Sequence, residues 1–98
     1  MTLRVIFHDR AEEELNEAAG YYARARPGLG DAFLAEVQRA VEALLAAPLA
    51  GAVMEGDVRR WLVRRFPYSV LYRIMDDQAR ILAVAHQKRR SFYWRRRR

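Results

Sequence analysis

The spacing of apolar residues changes partway along this 98-residue chain, and that change dictates the architecture. Up to about residue 47, apolar side chains recur every three to four positions. Beyond residue 57 that spacing gives way to short β-rich runs. A period near 3.6 buries one stripe of a helix, whereas a period of two buries one face of a strand. The first stretch therefore predicts helices and the second predicts strands.

Within that frame the punctuation is clear. Residues 3–7 (LRVIF) form a short β-rich run and are expected to be a strand. Asp9 is a suitable N-cap with Glu12 three positions on, and Glu13 and Glu14 crowd the positive end of the helix dipole. Ala11, Leu15, Ala18, Ala19 and Tyr22 share one helical stripe, and Pro27-Gly28 stops the helix. A second helix runs to about Ala47 with Leu29, Phe33, Val37, Ala40, Val41, Leu44 and Leu45 inward, and Pro48 ends it. Residues 49–57, with Gly51 and Gly56, read as a loop. Strands are expected at 58–65, 68–74 and 80–86, separated by Phe66-Pro67 and Asp76-Asp77-Gln78. Links that short imply antiparallel neighbours. The last strand is apolar on both faces (ILAVA) and belongs in the sheet interior. The expected fold is α+β in the order β-α-α-β-β-β, a helical hairpin on one face of a mostly antiparallel four-stranded sheet. Trp61 and Tyr72 alternate along strands and are expected in the core.

Ninety-eight residues suit one domain, 1–98, with a basic tail at 88–98 and no repeat or internal linker. With 52% apolar and 31% charged residues the composition is that of a globular protein. The absence of cysteine excludes disulfides and thiolate metal sites. Only His8 and His86 could supply imidazole, so neither a metal site nor a cofactor is expected. No phosphate-loop, RNP-type or zinc-spacing motif is present. No apolar run approaches ~18 residues and the N-terminus lacks a signal-type core, so a cytoplasmic protein with no membrane partner is expected.

Charge is divided along the chain. Residues 1–57 carry five arginines against ten acids, a net of −5, and residues 58–98 carry thirteen bases against Asp76 and Asp77, a net of +11. With acids on the outer helix faces and bases on strands and tail, the sheet face away from the helices should be cationic. Such a face attracts polyanions or an acidic partner. Arg95 to Arg98 are four consecutive like charges, expected to stay solvated and mobile.

The strings EEELNEAAGYY, RRFPYSVLYRI and ILAVAHQKRRSFYW, in that order, resemble the RelE/ParE superfamily of toxins, often called plasmid stabilisation proteins. The specific features are the Phe66-Pro67-Tyr68 step followed by Tyr72, and the closing pattern of His86, Arg89-Arg90 and Tyr93-Trp94. Relatives often have proline near Ser91, so the chain departs mildly there. The resemblance implies a toxin of a type II toxin–antitoxin system, held in a heterodimer or heterotetramer by an acidic antitoxin segment. It also implies one of two targets. RelE-like members cut mRNA in the ribosome, and ParE-like members bind DNA gyrase and trap it on DNA.

Cleavage by 2′-OH attack needs a proton acceptor, cations around the phosphate and a donor to the leaving oxygen. Arg60, Arg64 and Arg89 are the candidate clamps, with His86 or Tyr93 as acid or base. By resemblance, the ribonucleases carry arginines where this chain has Ser69 and Gln87. Losing two cations weakens charge stabilisation by several kcal/mol, unless neighbours such as Arg73 replace them. The end of the last strand, AVAHQKR, is more similar to the ParE side, which makes gyrase inhibition by binding the first expectation. A ribosome-dependent endonuclease is the alternative, and a non-catalytic nucleic-acid-binding domain the second. Candidate target- and antitoxin-binding residues are Arg59, Arg60, Arg64, Arg65, Arg73, Lys88, Arg89, Arg90 and Trp94. Trp94 either stacks on nucleic acid or folds the tail back onto the domain.

Overall fold

The structure is a computed structural model and describes residues 2–97. Its elements are β1 (Arg4–Phe7), α1 (Asp9–Ala25), α2 (Leu29–Ala46), β2 (Ala52–Glu55), β3 (Val58–Leu62), β4 (Tyr68–Met75) and β5 (Gln78–His86).

The helical hairpin forms as its periodicity requires. Ala11 and Ala18 of α1 are buried, and Phe33, Val37, Ala40 and Leu44 of α2 face them and the sheet. The N-cap of α1 is His8 rather than Asp9. His8 has extended backbone and its Nδ1 accepts from the Arg10 N–H at 3.1 Å. A ring nitrogen thus does the work expected of the carboxylate. Asp9 instead lies in the first turn with Glu12, where negative charge faces the dipole. Gly28 makes the left-handed turn between the helices at φ 84°. At Gly30 an added Cβ would lie 2.6 Å from the Ala19 carbonyl oxygen, so only glycine lets the helices approach this closely.

The sheet has five strands, not four, in the order β1-β5-β4-β3-β2. β1 runs parallel to β5 and every other pair is antiparallel. β5 is interior, as its two-sided apolarity predicted. The extra strand, β2, lies within the segment expected to be a loop. It pairs Ala52 with Arg60 and Val53 with Arg59, and it shows no alternation because its residues are mostly exposed. The Gly56-Asp57 pair between Glu55 and Val58 is the hairpin signal that marks it, with Gly56 at φ 58°. The other strands differ only at their ends: β3 stops at Leu62, and β4 and β5 meet across a two-residue turn at Asp76 (φ 57°) and Asp77.

Each face of the sheet has its own apolar cluster. Val70, Tyr72, Ile81 and Val84 join the helices in the larger one, and Trp61 packs against it. On the opposite face Val58, Leu71, Leu82, Ala83 and Ala85 surround Trp94, which is 4% exposed. A shift in the β4–β5 register pairs Leu71 with Ala83 but Tyr72 with Ile81. The unpaired Leu82 is a bulge, and it lets Leu82 and Ala83 both turn toward Trp94. The segment after β5 is therefore packed across the sheet. Arg97 is only 9% exposed, which overturns the expectation of a solvated side chain at that position, whereas Arg95 and Arg96 are exposed as expected. Arg98 lies outside the described residues.

Candidate functional site

Where β3, β4 and β5 end beneath the returning tail there is a cleft of about 140 Å³. Arg60, Ser69, His86, Arg89, Arg90 and Trp94 are among the side chains lining it. Strand register builds it: Arg60 stands beside Leu71, and Ser69 beside Ala85, so all four turn toward the tail. Arg60 and Arg90 are exposed, and neither forms an ion pair among the described residues. Ser69 and Gln87, the positions at which the ribonucleases were expected to carry arginine, both line the same cleft.

The structure thus unites Arg60, His86, Arg89, Arg90, Tyr93 and Trp94, but it disperses other expected members of the surface. Arg59 is the immediate neighbour of Arg60 and necessarily points to the opposite face. There its Nη1 donates to the Leu49 and Gly51 carbonyls at 2.9 Å each, clamping the α2–β2 connection. Tyr72 braces the same connection by donating to the Pro48 carbonyl at 2.8 Å. Arg64 borders a different hollow, between α2 and β3, with Glu36, Arg39 and Trp61. Arg73 is paired with Asp57 at 2.8 Å. Arg65 lies over the Phe66 ring, 5.7 Å from its centroid. Lys88 is exposed. Trp94 is buried among Val58, Leu71, Leu82 and Ala85, with the Phe92 ring 5.7 Å away, and offers no face for base stacking; of the two roles left open for it, the structure has it folding the tail back.

The two candidates for proton transfer are both engaged. His86 Nδ1 accepts from the Lys88 N–H at 3.0 Å, and the ring stands edge-on to Tyr68 with centroids 5.1 Å apart. With Nδ1 accepting, the neutral ring carries its proton on Nε2 and has no free lone pair to serve as a base. The Tyr93 hydroxyl donates to Glu14 Oε2 at 2.7 Å. Burial, and then the hydrogen bond to the Glu14 carboxylate, push the phenol well above its ordinary value of 10. Tyr93 therefore remains protonated throughout the physiological range.

Glu14 is the residue that sequence reasoning missed. From α1 it reaches the edge of β5 and accepts from the Val84 N–H at 3.1 Å. Its carboxylate also takes both terminal nitrogens of Arg97, at 2.8 and 3.1 Å, and lies 3.7 Å from Arg89. Among the described residues no three His, Asp or Glu side chains converge as metal ligands. Nor is any helix there long and apolar enough to cross a membrane.

A small α+β domain with a helical hairpin on one sheet face and a cationic cleft on the other is the architecture of a toxin of the RelE/ParE superfamily. Comparison with known proteins specifies the family. Residues 5–91 match the ParE toxin of type II toxin–antitoxin systems, parDE, and the chain belongs to that family. It is 37% identical over 87 residues to "Toxin ParE2" of Mycobacterium tuberculosis, in strains CDC 1551 / Oshkosh and ATCC 25618 / H37Rv. That match covers 88% of this chain and 83% of the relative. A solved structure described as "Chromosomal ParDE TA system from P. aeruginosa" has the same fold, with a TM-score of 0.70 at 20% identity. It covers 87% of this chain and 96% of its own.

Proposed function

We propose that this ParE-family toxin acts by binding DNA gyrase rather than by cutting RNA, and that an acidic antitoxin segment silences it by covering the cationic cleft. What carries this reading is the commitment of both titratable side chains at the cleft. His86 has no free lone pair and Tyr93 is a protonated donor locked to Glu14. The cleft therefore supplies cations, Arg60 and Arg90 above all, without a proton acceptor for a 2′-hydroxyl. Positive charge beside a half-apolar hollow suits docking on a protein and release to an anionic competitor. The match to a toxin family of toxin–antitoxin pairs, and the likeness to a structure described as a ParDE TA system, support the antitoxin half of the proposal.

The deciding experiment pairs two assays on purified protein. Inhibition of gyrase supercoiling with accumulation of cleaved DNA, and intact mRNA in a translating extract, is the expected result. Ribosome-dependent mRNA cleavage with supercoiling unaffected would reverse the assignment and recast Arg60, Arg89 and His86 as a nuclease site. For the antitoxin, purified complex should protect Arg60 and Arg90 from guanidine-directed labelling. An interface confined to the outer faces of α1 and α2 refutes that half.

A further inference from the structure

We propose that Glu14, on the acidic helix, is the positioning residue of the cationic cleft: its carboxylate clasps Tyr93 and Arg97, seals the open edge of β5, and so fixes where Arg89 and Arg90 stand relative to Arg60. The functional half of this inference rests on the binding role proposed above; the structural half does not. Tyr93, Trp94 and Arg97 lie beyond residues 5–91, the span matched to the family.

The need for a clasp follows from strand lengths. β1 ends where Phe7 meets Ile81, and the His8 N–H donates to the Ile81 carbonyl just beyond. From Leu82 onward, no strand among the described residues lies beside that edge of β5. An ion pair takes the place of one. Arg97 Nη1 donates to the Leu82 carbonyl at 3.1 Å, while Glu14 Oε1 accepts from the Val84 N–H at 3.1 Å. One cation and one anion thus satisfy the acceptor and the donor that a neighbouring backbone would otherwise meet. Glu14 and Arg97 side chains are 13% and 10% exposed, so each is secure only while the other is present.

The same carboxylate organises the tail. The Tyr93 ring has the Arg89 guanidinium 4.0 Å and the Arg97 guanidinium 4.9 Å from its centroid, and its hydroxyl ends on Glu14. Arg95 is tied separately to Glu55 at 2.6 Å. Arg89 and Arg90 are thereby presented on a stretch of chain held between His86 and the clasp, with Trp94 beneath it.

Glu14→Gln tests this well, because the amide keeps the shape and one acceptor but cannot take a bidentate arginine. In a Trp61→Phe background, where Trp94 is the sole indole, Glu14→Gln should red-shift the emission. It should also raise amide exchange at 88–97 at least tenfold, leaving α2 and β4 protected. Arg97→Ala should do the same, and the double variant should be no worse than either single one. Released arginines should tighten binding of a fluorescein-labelled DNA duplex at low salt at least threefold, while supercoiling inhibition weakens at least tenfold. These opposite movements separate positioning from general damage. A tail that stays docked in Glu14→Gln, additive single effects, or a released tail with undiminished supercoiling inhibition overturns the proposal. If the unaltered protein does not inhibit supercoiling, the gyrase assignment fails, while exchange and duplex binding still decide the clasp.

Discussion

Trp94→Ala removes the largest apolar group from the tail-side cluster, and the structure indicates where the loss falls. A buried tryptophan contributes ~150–250 Å² of area, and truncating one to alanine typically costs about 3–5 kcal/mol. The helix-side cluster does not include Trp94, however, and among the described residues the chain from Gln87 onward forms no strand or helix. The tail can therefore undock without unravelling the sheet, so the global loss is capped at the tail's own docking free energy. Phe33→Ala has no such escape. Phe33 is fully buried, with Phe66 5.1 Å and Tyr68 5.0 Å from its centroid, and its loss bears on both helices and the sheet. At ~4–8 °C per kcal/mol for a domain of this size, Phe33→Ala should lower Tm by at least ~12 °C. Trp94→Ala should lower it by less than half as much, with far-UV circular dichroism intact and exchange raised only at 88–97 and the Leu82 to Ala85 stretch of β5. Thermal melts and hydrogen-exchange mass spectrometry on both variants decide the matter. Equal Tm losses, or loss of protection in α1 and α2 on Trp94→Ala, would refute the two-cluster reasoning.

Other consequences concern charge and proton binding. Arg60→Ala should reduce the slope of log affinity against log salt for a DNA duplex by about 0.9, one phosphate contact. Arg73→Ala makes the same net-charge change but should alter it by less than half as much, since Asp57 already holds Arg73; equal changes would show that only total charge matters. Tyr22, Tyr68, Tyr72 and Tyr93 all have phenol values raised above 10, chiefly by burial. The folded state therefore keeps protons that the unfolded state loses, so stability is full below pH ~10 and falls as pH rises beyond it. Urea midpoints taken between pH 9 and 11 should show that decline, and Tyr93→Phe should make it shallower. An unchanged slope in Tyr93→Phe would show that its hydroxyl is not held as described.

Much of the fold was legible because burial writes itself into spacing. The α1 and α2 stripes, the β-rich run of β4 and the two-sided apolarity of β5 each identified an element and its place. β2 escaped because an exposed edge strand leaves no alternation, although Gly56-Asp57 marked its turn. The site was less legible. Alternation places Arg59 and Arg60 on opposite faces, so they could not serve one surface as expected, and the register confirms it. Glu14 was read as one of three acids near a helix start. Its true partners lie 70 to 83 residues away, beyond the reach of any local pattern. For the same reason Arg97 looked like one more solvated charge in a run.

The parallel pairing of Arg4–Phe7 with Gln78–Ile81 has a kinetic consequence. Among the described residues, β1 finds its only strand neighbour some seventy positions later in the chain. Closing so long a loop is a late and slow event in folding. A nascent or prematurely terminated chain that stops before Gln78 can form the helical hairpin yet lacks the strand that joins it to the sheet. Incomplete translation products of this toxin should consequently be harmless, and sensitive to proteases.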